Sequence, residues 1–230
     1  MFSLCITNYE RTDMLLESFE HVLHDPRIRE IVISDDCSSE EVFEQVKGYA
    51  ELHGKIKVFR NDQNVGMSLN KKIAIERATS DYCILFDSDN ILKKNYLDAL
   101  MEYRRYPNVI LAPDSGGGVL NYKKFSGWYV CQDNIRHFLS QPGSGMLLNT
   151  CNYMVHRQQY LDTYQFDPEV QGADTIWFNY LWLKRGGAFL VVPRMSYYHR
   201  VHEGSGYMKD LEANNRMCFA ITKLMKDVKS

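Results

Sequence analysis

Two carboxylates one residue apart, Asp87 and Asp89, flank Ser88 directly behind the strand-like run Asp81-Tyr-Cys-Ile-Leu-Phe86. At the end of a buried strand in an open α/β sheet, such a pair faces the ligand crevice. It is costly to desolvate unless a cation or a hydrogen-bond network compensates it. Oxygen ligands of this kind suit a hard divalent ion, Mg²⁺ or Mn²⁺, which can also grip a diphosphate. The expected ligand is therefore a nucleotide-diphosphate substrate.

Other polar clusters follow apolar runs in the same way. Thr7-Asn8-Tyr9-Glu10-Arg11 stands after the first run; its hydroxyl and ring could hold a base, or the segment could cap a helix through Thr12 or Asp13. Ser34-Asp35-Asp36-Cys37-Ser38 stands after the second. Adjacent carboxylates repel, so at least one needs a dedicated partner, such as an imide N–H or a basic side chain. The alternative is a capping pair ahead of Glu40 and Glu41. Asn64-Val65-Gly66, with Asn70 and Lys71 a turn further on, offers a glycine for close backbone approach and a cation for a phosphate.

These clusters need a scaffold of alternating strands and helices, and the apolar periodicity supplies one. Phe2–Ile6, Ile31–Ser34, Ile56–Phe59 and Tyr82–Phe86 read as strands. Helical spacing covers Met14 to Leu23, Val42 to Leu52 (with Ser39 as N-cap) and Ser68 to Ala78. This order predicts a largely parallel, doubly wound sheet with right-handed crossovers. Beyond Asp89 the pattern predicts a helix over Asn95–Arg105, a strand over Val109–Ala112 and a flexible loop over Asp114–Gly118. It then predicts a helix over Thr175–Lys184, a strand over Ala188–Val192 and a terminal amphipathic helix over Lys209–Lys226; 119–150 lacks clean periodicity. The expectation is one α/β domain over 1–230, with a nucleotide-binding half to about residue 100 and an acceptor-facing half from 101 onward.

Composition removes several function classes. A formal charge of −2 on 230 residues gives no electrostatic footprint for nucleic acid. No apolar run approaches the ~18 residues needed to span a bilayer, and the N-terminal run lacks a basic lead and the length of a signal-peptide core. Six scattered cysteines without a C-x-x-C pair fit a reducing, cytoplasmic location. The terminal helix, with Met208, Leu211, Phe219, Ile221, Leu224 and Met225 among lysines, is expected to dock on the core. Peripheral membrane contact is its alternative.

The ordered set Thr-x-Tyr-x-Arg, Asp-Asp-x-Ser, Asn-x-Gly-x-x-x-Asn and Asp-x-Asp resembles the GT-A fold of family 2 inverting glycosyltransferases, densely over about 2–100 and more loosely over 143–206. The resemblance implies a UDP-sugar or related nucleotide-sugar donor and a glycan or lipid-linked saccharide acceptor. It places Thr7, Tyr9, Arg11, Asp36, Asn64, Gly66, Asn70, Lys71, Asp87 and Ser88 around the donor, with Asp87 and Asp89 at the metal. Gly172-Ala173-Asp174 matches the family's Glu-Asp pair, with Ala173 replacing the acidic neighbour and Asp174 implied as the general base. Asp174 could equally cap the helix that follows. Tyr197-Tyr-His199-Arg200-Val-His202-Glu203-Gly-Ser205 matches a loop that returns to the metal. His202 aligns with the family's histidine and His199 is the fallback; an imidazole ligand favours Mn²⁺. Arg200 could pair with the diphosphate. Trp128 is the candidate acceptor platform. A nucleotidyltransferase, or a sugar-nucleotide-binding protein without activity, are the rival expectations.

Overall fold

The computed structural model describes residues 1–117, 119–202 and 210–228. Its first half alternates as expected: β1 (Phe2–Asn8), α1 (Thr12–Phe19), β2 (Ile28–Asp35), α2 (Glu40–Glu51), β3 (Ile56–Arg60), α3 (Met67–Arg77) and β4 (Tyr82–Asp87). Next come α4 (Lys94–Met101), β5 (Val109–Gly116), β6 (Leu120–Asn121), β7 (Tyr129–Val130), α5 (Ile135–Leu139) and α6 (Ser144–Leu148). The chain continues with β8 (Met154–His156), α7 (Arg157–Thr163), α8 (Asp174–Lys184), β9 (Ala188–Tyr197) and α9 (Leu211–Met225). One sheet runs in the order β3-β2-β1-β4-β8-β5-β9-β7, with β6 paired to β5. β3, β2, β1 and β4 are mutually parallel, as are β5 and β9, whereas β8 lies antiparallel between β4 and β5.

The central strands are apolar on both faces because both faces are covered. Leu4, Ile6, Ile31, Ile33, Ile84 and Phe86 pack on one side with α1 and α4. Their neighbours Cys5, Val32, Cys83 and Leu85 pack on the other with α3, α8 and α9. In-register pairing of Thr7 with both Ser34 and Asp87, and of Asn8 with Asp35, brings the polar strand ends to one edge.

Two expectations on local structure need correction. α1 stops at Phe19 and continues as a 3-10 turn over Glu20–Val22, because the Ser18 hydroxyl donates back to Leu15 O at 2.6 Å and such bonds bend helices. The expected loop over Asp114–Gly118 is instead strand as far as Gly116, and Gly118 lies outside the described residues. Gly116 is there for close packing: a Cβ would stand 2.8 Å from the Tyr197 ring of β9. On α9, Ile221 and Met225 are buried while Leu211, Phe219 and Leu224 are exposed; Met208 and Lys209 lie outside the described residues. No described helix is long and apolar enough to cross a membrane.

The opposite edge of the sheet carries a buried acid. Glu30 accepts from Ser3 Oγ, Lys57 Nζ, Thr79 N and Thr79 Oγ1. Burial alone would raise its pKa, but those bonds outweigh it and bring the carboxyl from 4.5 to about 2. A carboxylate lowered on folding stabilises above its unfolded value and loses that contribution as pH falls through its folded value. Glu30→Gln is therefore expected to flatten the decline of melting temperature between pH 4.5 and about 2. A decline as steep as the parent's would remove Glu30 from the acid response.

Candidate active site

The carboxyl ends of β1, β2 and β4 gather the expected donor-binding residues at one edge. Asp35 is fully buried and structural: it accepts from Asn8 Nδ2 (3.0 Å), Ser38 N (2.9 Å) and Ser38 Oγ (2.6 Å). Asp36 is tied to the turn before α3, taking Asn61 Nδ2 at 3.0 Å, Val65 N at 2.8 Å and Gly66 N at 2.9 Å. The expected partner of this second carboxylate is thus supplied by the chain itself. Asn64 Oδ1 accepts from Gly66 N at 3.2 Å, and Gly66 takes a φ of 85°, open to glycine and strained for other residues. Tyr9 is 47% exposed, and Thr7 is half-buried. Ser39 stands at the N-cap of α2 without a capping bond of its own; its N–H and hydroxyl donate to the Glu10 carboxylate.

Two expected donor-side residues are engaged within the chain. Asn70 Oδ1 accepts from Ser34 Oγ and Asn61 Nδ2, and its Nδ2 donates to Ser34 O, so it braces α3 against β2. Lys71 faces a carboxylate instead of a phosphate. Its ammonium donates to Asp174 Oδ2 at 2.9 Å and Thr175 Oγ1 at 3.1 Å, with both ionic side chains over 90% buried. Burial alone would depress Lys71, but the charges of Asp174 and Asp87, with Cys151 and the hydrogen bond to Asp174, hold it well above the lysine range.

The Asp-x-Asp divides its labour. Asp87 is clamped from the second half of the chain: Oδ2 accepts from Cys151 Sγ at 3.0 Å and Asn152 Nδ2 at 3.2 Å, while Asp87 N donates to Asn152 Oδ1 at 2.9 Å. Burial, reinforced by the Asp87 charge, pushes the Cys151 thiol well above its ordinary range, so the sulfur keeps its proton and donates. Cys151 and Asn152 lie just beyond the unpatterned stretch and carry no sequence signal. Ser88 is buried. Asp89 Oδ2 receives Arg11 Nη1 at 2.8 Å and His202 Nε2 at 3.1 Å.

His202 arrives there because Ile91 and Tyr198 pair through two backbone hydrogen bonds of 2.9 Å, laying the segment after β9 beside the Asp-x-Asp. His199 points elsewhere, its ring edge-on to Tyr197. Of the two histidines, His202 is the one brought to the carboxylate. Arg200 is engaged with Glu17 Oε2 and Met14 O, not with the open pocket. Residues 203–205 of the matched loop lie outside the described residues.

Oxygen and imidazole donors at Asp89 and His202 fit a divalent ion, and a guanidinium already stands in contact with Asp89 as a cation. Among the described residues no three His, Cys, Asp or Glu side chains form a complete cage.

Asp174 opens α8 without a side-chain cap bond on that helix's N-cap residue, Ala173. It borders a small cavity with Ser68, Lys71, Tyr160, Tyr164 and Trp177. Ala173 is 1% exposed within the core, so an acid there would be desolvated, and its absence follows from packing. Trp128, the expected platform, spends its faces on packing: it stacks on His137 and leans on Phe125 and Phe138. Trp177 is the tryptophan beside Asp174. The backbone ahead of Asp174 is buttressed by α9, where a Cβ on Gly172 would lie 1.7 Å from Asn214 Oδ1. Gly172→Ala is expected to cost ~1–3 kcal/mol of stability, read as a lowered melting temperature. Unchanged melting would show that α9 yields freely.

Comparison with known proteins decides the family. The sequence profile described as Glycosyl transferase family 2 matches residues 3–155. The chain belongs to glycosyl transferase family 2. It is similar to the abequosyltransferase RfbV of Salmonella typhimurium, 29% identical over 107 residues, which are 45% of this chain and 32% of that one. The chain spans less than half the length of the curated relatives it matches. Its fold is that of S. aureus TarS 1-349 in complex with UDP-GlcNAc (TM-score 0.73, 17% identity, 99% of this chain and 66% of that one). Mannosyltransferase PcManGT from Pyrobaculum calidifontis, in complex with GDP-Man and Mn²⁺, is also alike (TM-score 0.67, 13% identity, 99% and 69%). The family 2 membership and these neighbours make this a GT-A enzyme fold.

Proposed function

We propose that the chain transfers a sugar from a nucleotide-diphosphate donor, preferentially a UDP-sugar, to a hydroxyl of a glycan or lipid-linked saccharide, with inversion at the anomeric carbon. The observation that carries this reading is the pair of carboxylates beside the matched motifs: Asp89 in contact with His202, and Asp174 held by the Lys71 ammonium at 2.9 Å.

In this reading Tyr9 stacks on the base and Thr7 lines its edge, while Asp36, Asn64 and Gly66 shape the pocket. Asp87, held by Cys151 and Asn152, faces the ribose and diphosphate. Asp89 and His202 would hold a divalent ion, whose chemistry is to neutralise the departing diphosphate. Asp174 accepts the acceptor hydroxyl's proton as oxygen attacks the anomeric carbon from the face opposite the leaving group. Lys71 fixes one carboxylate oxygen and leaves the other to meet the acceptor. Relatives that bind UDP-GlcNAc or GDP-Man with Mn²⁺ on the same fold support a nucleotide-sugar donor and a divalent ion.

The test is a melting panel of UDP, GDP, CMP and dTDP, each with Mn²⁺, Mg²⁺ or chelator. It is followed by NMR assignment of the anomer formed from the stabilising nucleotide's sugars. UDP stabilising only with metal, and an inverted linkage, are expected. Indifference to every nucleotide, or a retained anomer, would sink the reading.

A further inference from the structure

We propose that Arg11 is a latch on the cation site. Its guanidinium holds Asp89 until a donor diphosphate draws it away, so a divalent ion is admitted with the nucleotide and not before it. This inference rests on the donor reading above.

Arg11 and His202 meet one and the same atom, Asp89 Oδ2, at 2.8 Å and 3.1 Å. A dication approaching that oxygen meets a positive charge already in contact with it, and at this range the repulsion is large in a partly desolvated site. Two protein ligands without a third among the described residues give the ion little to set against that repulsion. A diphosphate changes both sides of the balance. It supplies the missing oxygen ligands, and it offers the planar guanidinium two oxygens at once, where Asp89 offers one.

The mechanical requirement is also met. Arg11 directly precedes α1 as its N-cap residue. Its backbone neighbour Glu10 is pinned to the next strand end through Ser38 Oγ and Ser39. The root of the side chain is thus fixed, while the side chain itself is 26% exposed and long enough to swing without backbone movement. Other basic groups near this edge are already committed: Lys71 to Asp174, Arg60 to Glu40 and Arg200 to Glu17. Arg11 instead contacts Asp89, which the donor reading puts at the metal.

Mn²⁺ uptake by the full chain, followed by electron paramagnetic resonance with and without UDP, tests the latch without any turnover. Wild type is expected to take up Mn²⁺ weakly alone and tightly with UDP. Arg11→Met should tighten nucleotide-free Mn²⁺ binding by about tenfold while weakening UDP. Arg11→Lys keeps the charge and should still exclude the ion, and melting curves of both variants establish that they fold. Equal nucleotide-free affinity in wild type and Arg11→Met overturns the latch and leaves the donor reading standing. Failure of wild type to bind Mn²⁺ even with UDP overturns both.

Discussion

Asp174→Asn is expected to lower the transfer rate by about 10²–10⁴-fold, the usual contribution of a positioned base, with UDP affinity intact. The carboxamide keeps the shape of the side chain and loses its ability to accept a proton. It also removes the counter-charge of Lys71, and breaking one side of a buried pair costs about 3–5 kcal/mol, so a rate loss alone would be ambiguous. The double variant Asp174→Asn/Lys71→Met separates the two effects. With no buried ammonium left to satisfy, its melting temperature should recover towards the parent's while transfer stays lost. Initial rates and melting curves on the three proteins decide the matter; an active Asp174→Asn would leave the acceptor without this base.

Asp89→Ala should abolish the metal-dependent part of UDP binding. In the parent, UDP with Mn²⁺ at a hundred times its Kd would add about 2.7 kcal/mol of stability, and calorimetry or melting should show that increment vanish. The loss would not come from the fold. Asp89's partners are the Arg11 guanidinium and the His202 ring, and melting curves without ligand establish that the variant folds. Asp87 gives the contrasting control, because removing it strands the Cys151 thiol and Asn152 amide in the interior. A full UDP response in Asp89→Ala would move the cation elsewhere.

The strand–helix alternation and the Asp-x-Asp were legible because they depend on near neighbours: short continuous apolar runs such as Leu4–Ile6 and Ile31–Ile33, and a polar pair at a strand end. Asp36 was legible as a residue needing a partner, and that partner proved to be the Asn61–Gly66 turn. What the sequence hid lies in contacts between distant positions. Lys71 meets Asp174 across 103 residues, and Cys151 meets Asp87 across 64. Local spacing holds no information on either. Asp114–Gly116 was misread for a different reason. Its glycine looks like freedom in sequence, whereas in the fold it makes room for Tyr197. His199 and His202 were separable only once the Ile91–Tyr198 bridge set the direction of the segment that carries them.

The clamp on Asp87 bears on how such enzymes can be cut and recombined. The aspartate belongs to β4, yet the groups that hold it, Cys151 and Asn152, immediately precede β8, the reversed strand that closes β4 from the other side. A fragment ending near residue 100 would keep every donor motif in its text and lose the brace that orients one of them. It would also bare β4 as an unpaired edge, inviting self-association. Exchanging acceptor regions between relatives would then require a crossover that keeps β4, the Cys151–Asn152 pair and β8 together. The unit of inheritance here is the braced strand, whose brace comes from more than sixty residues further along the chain.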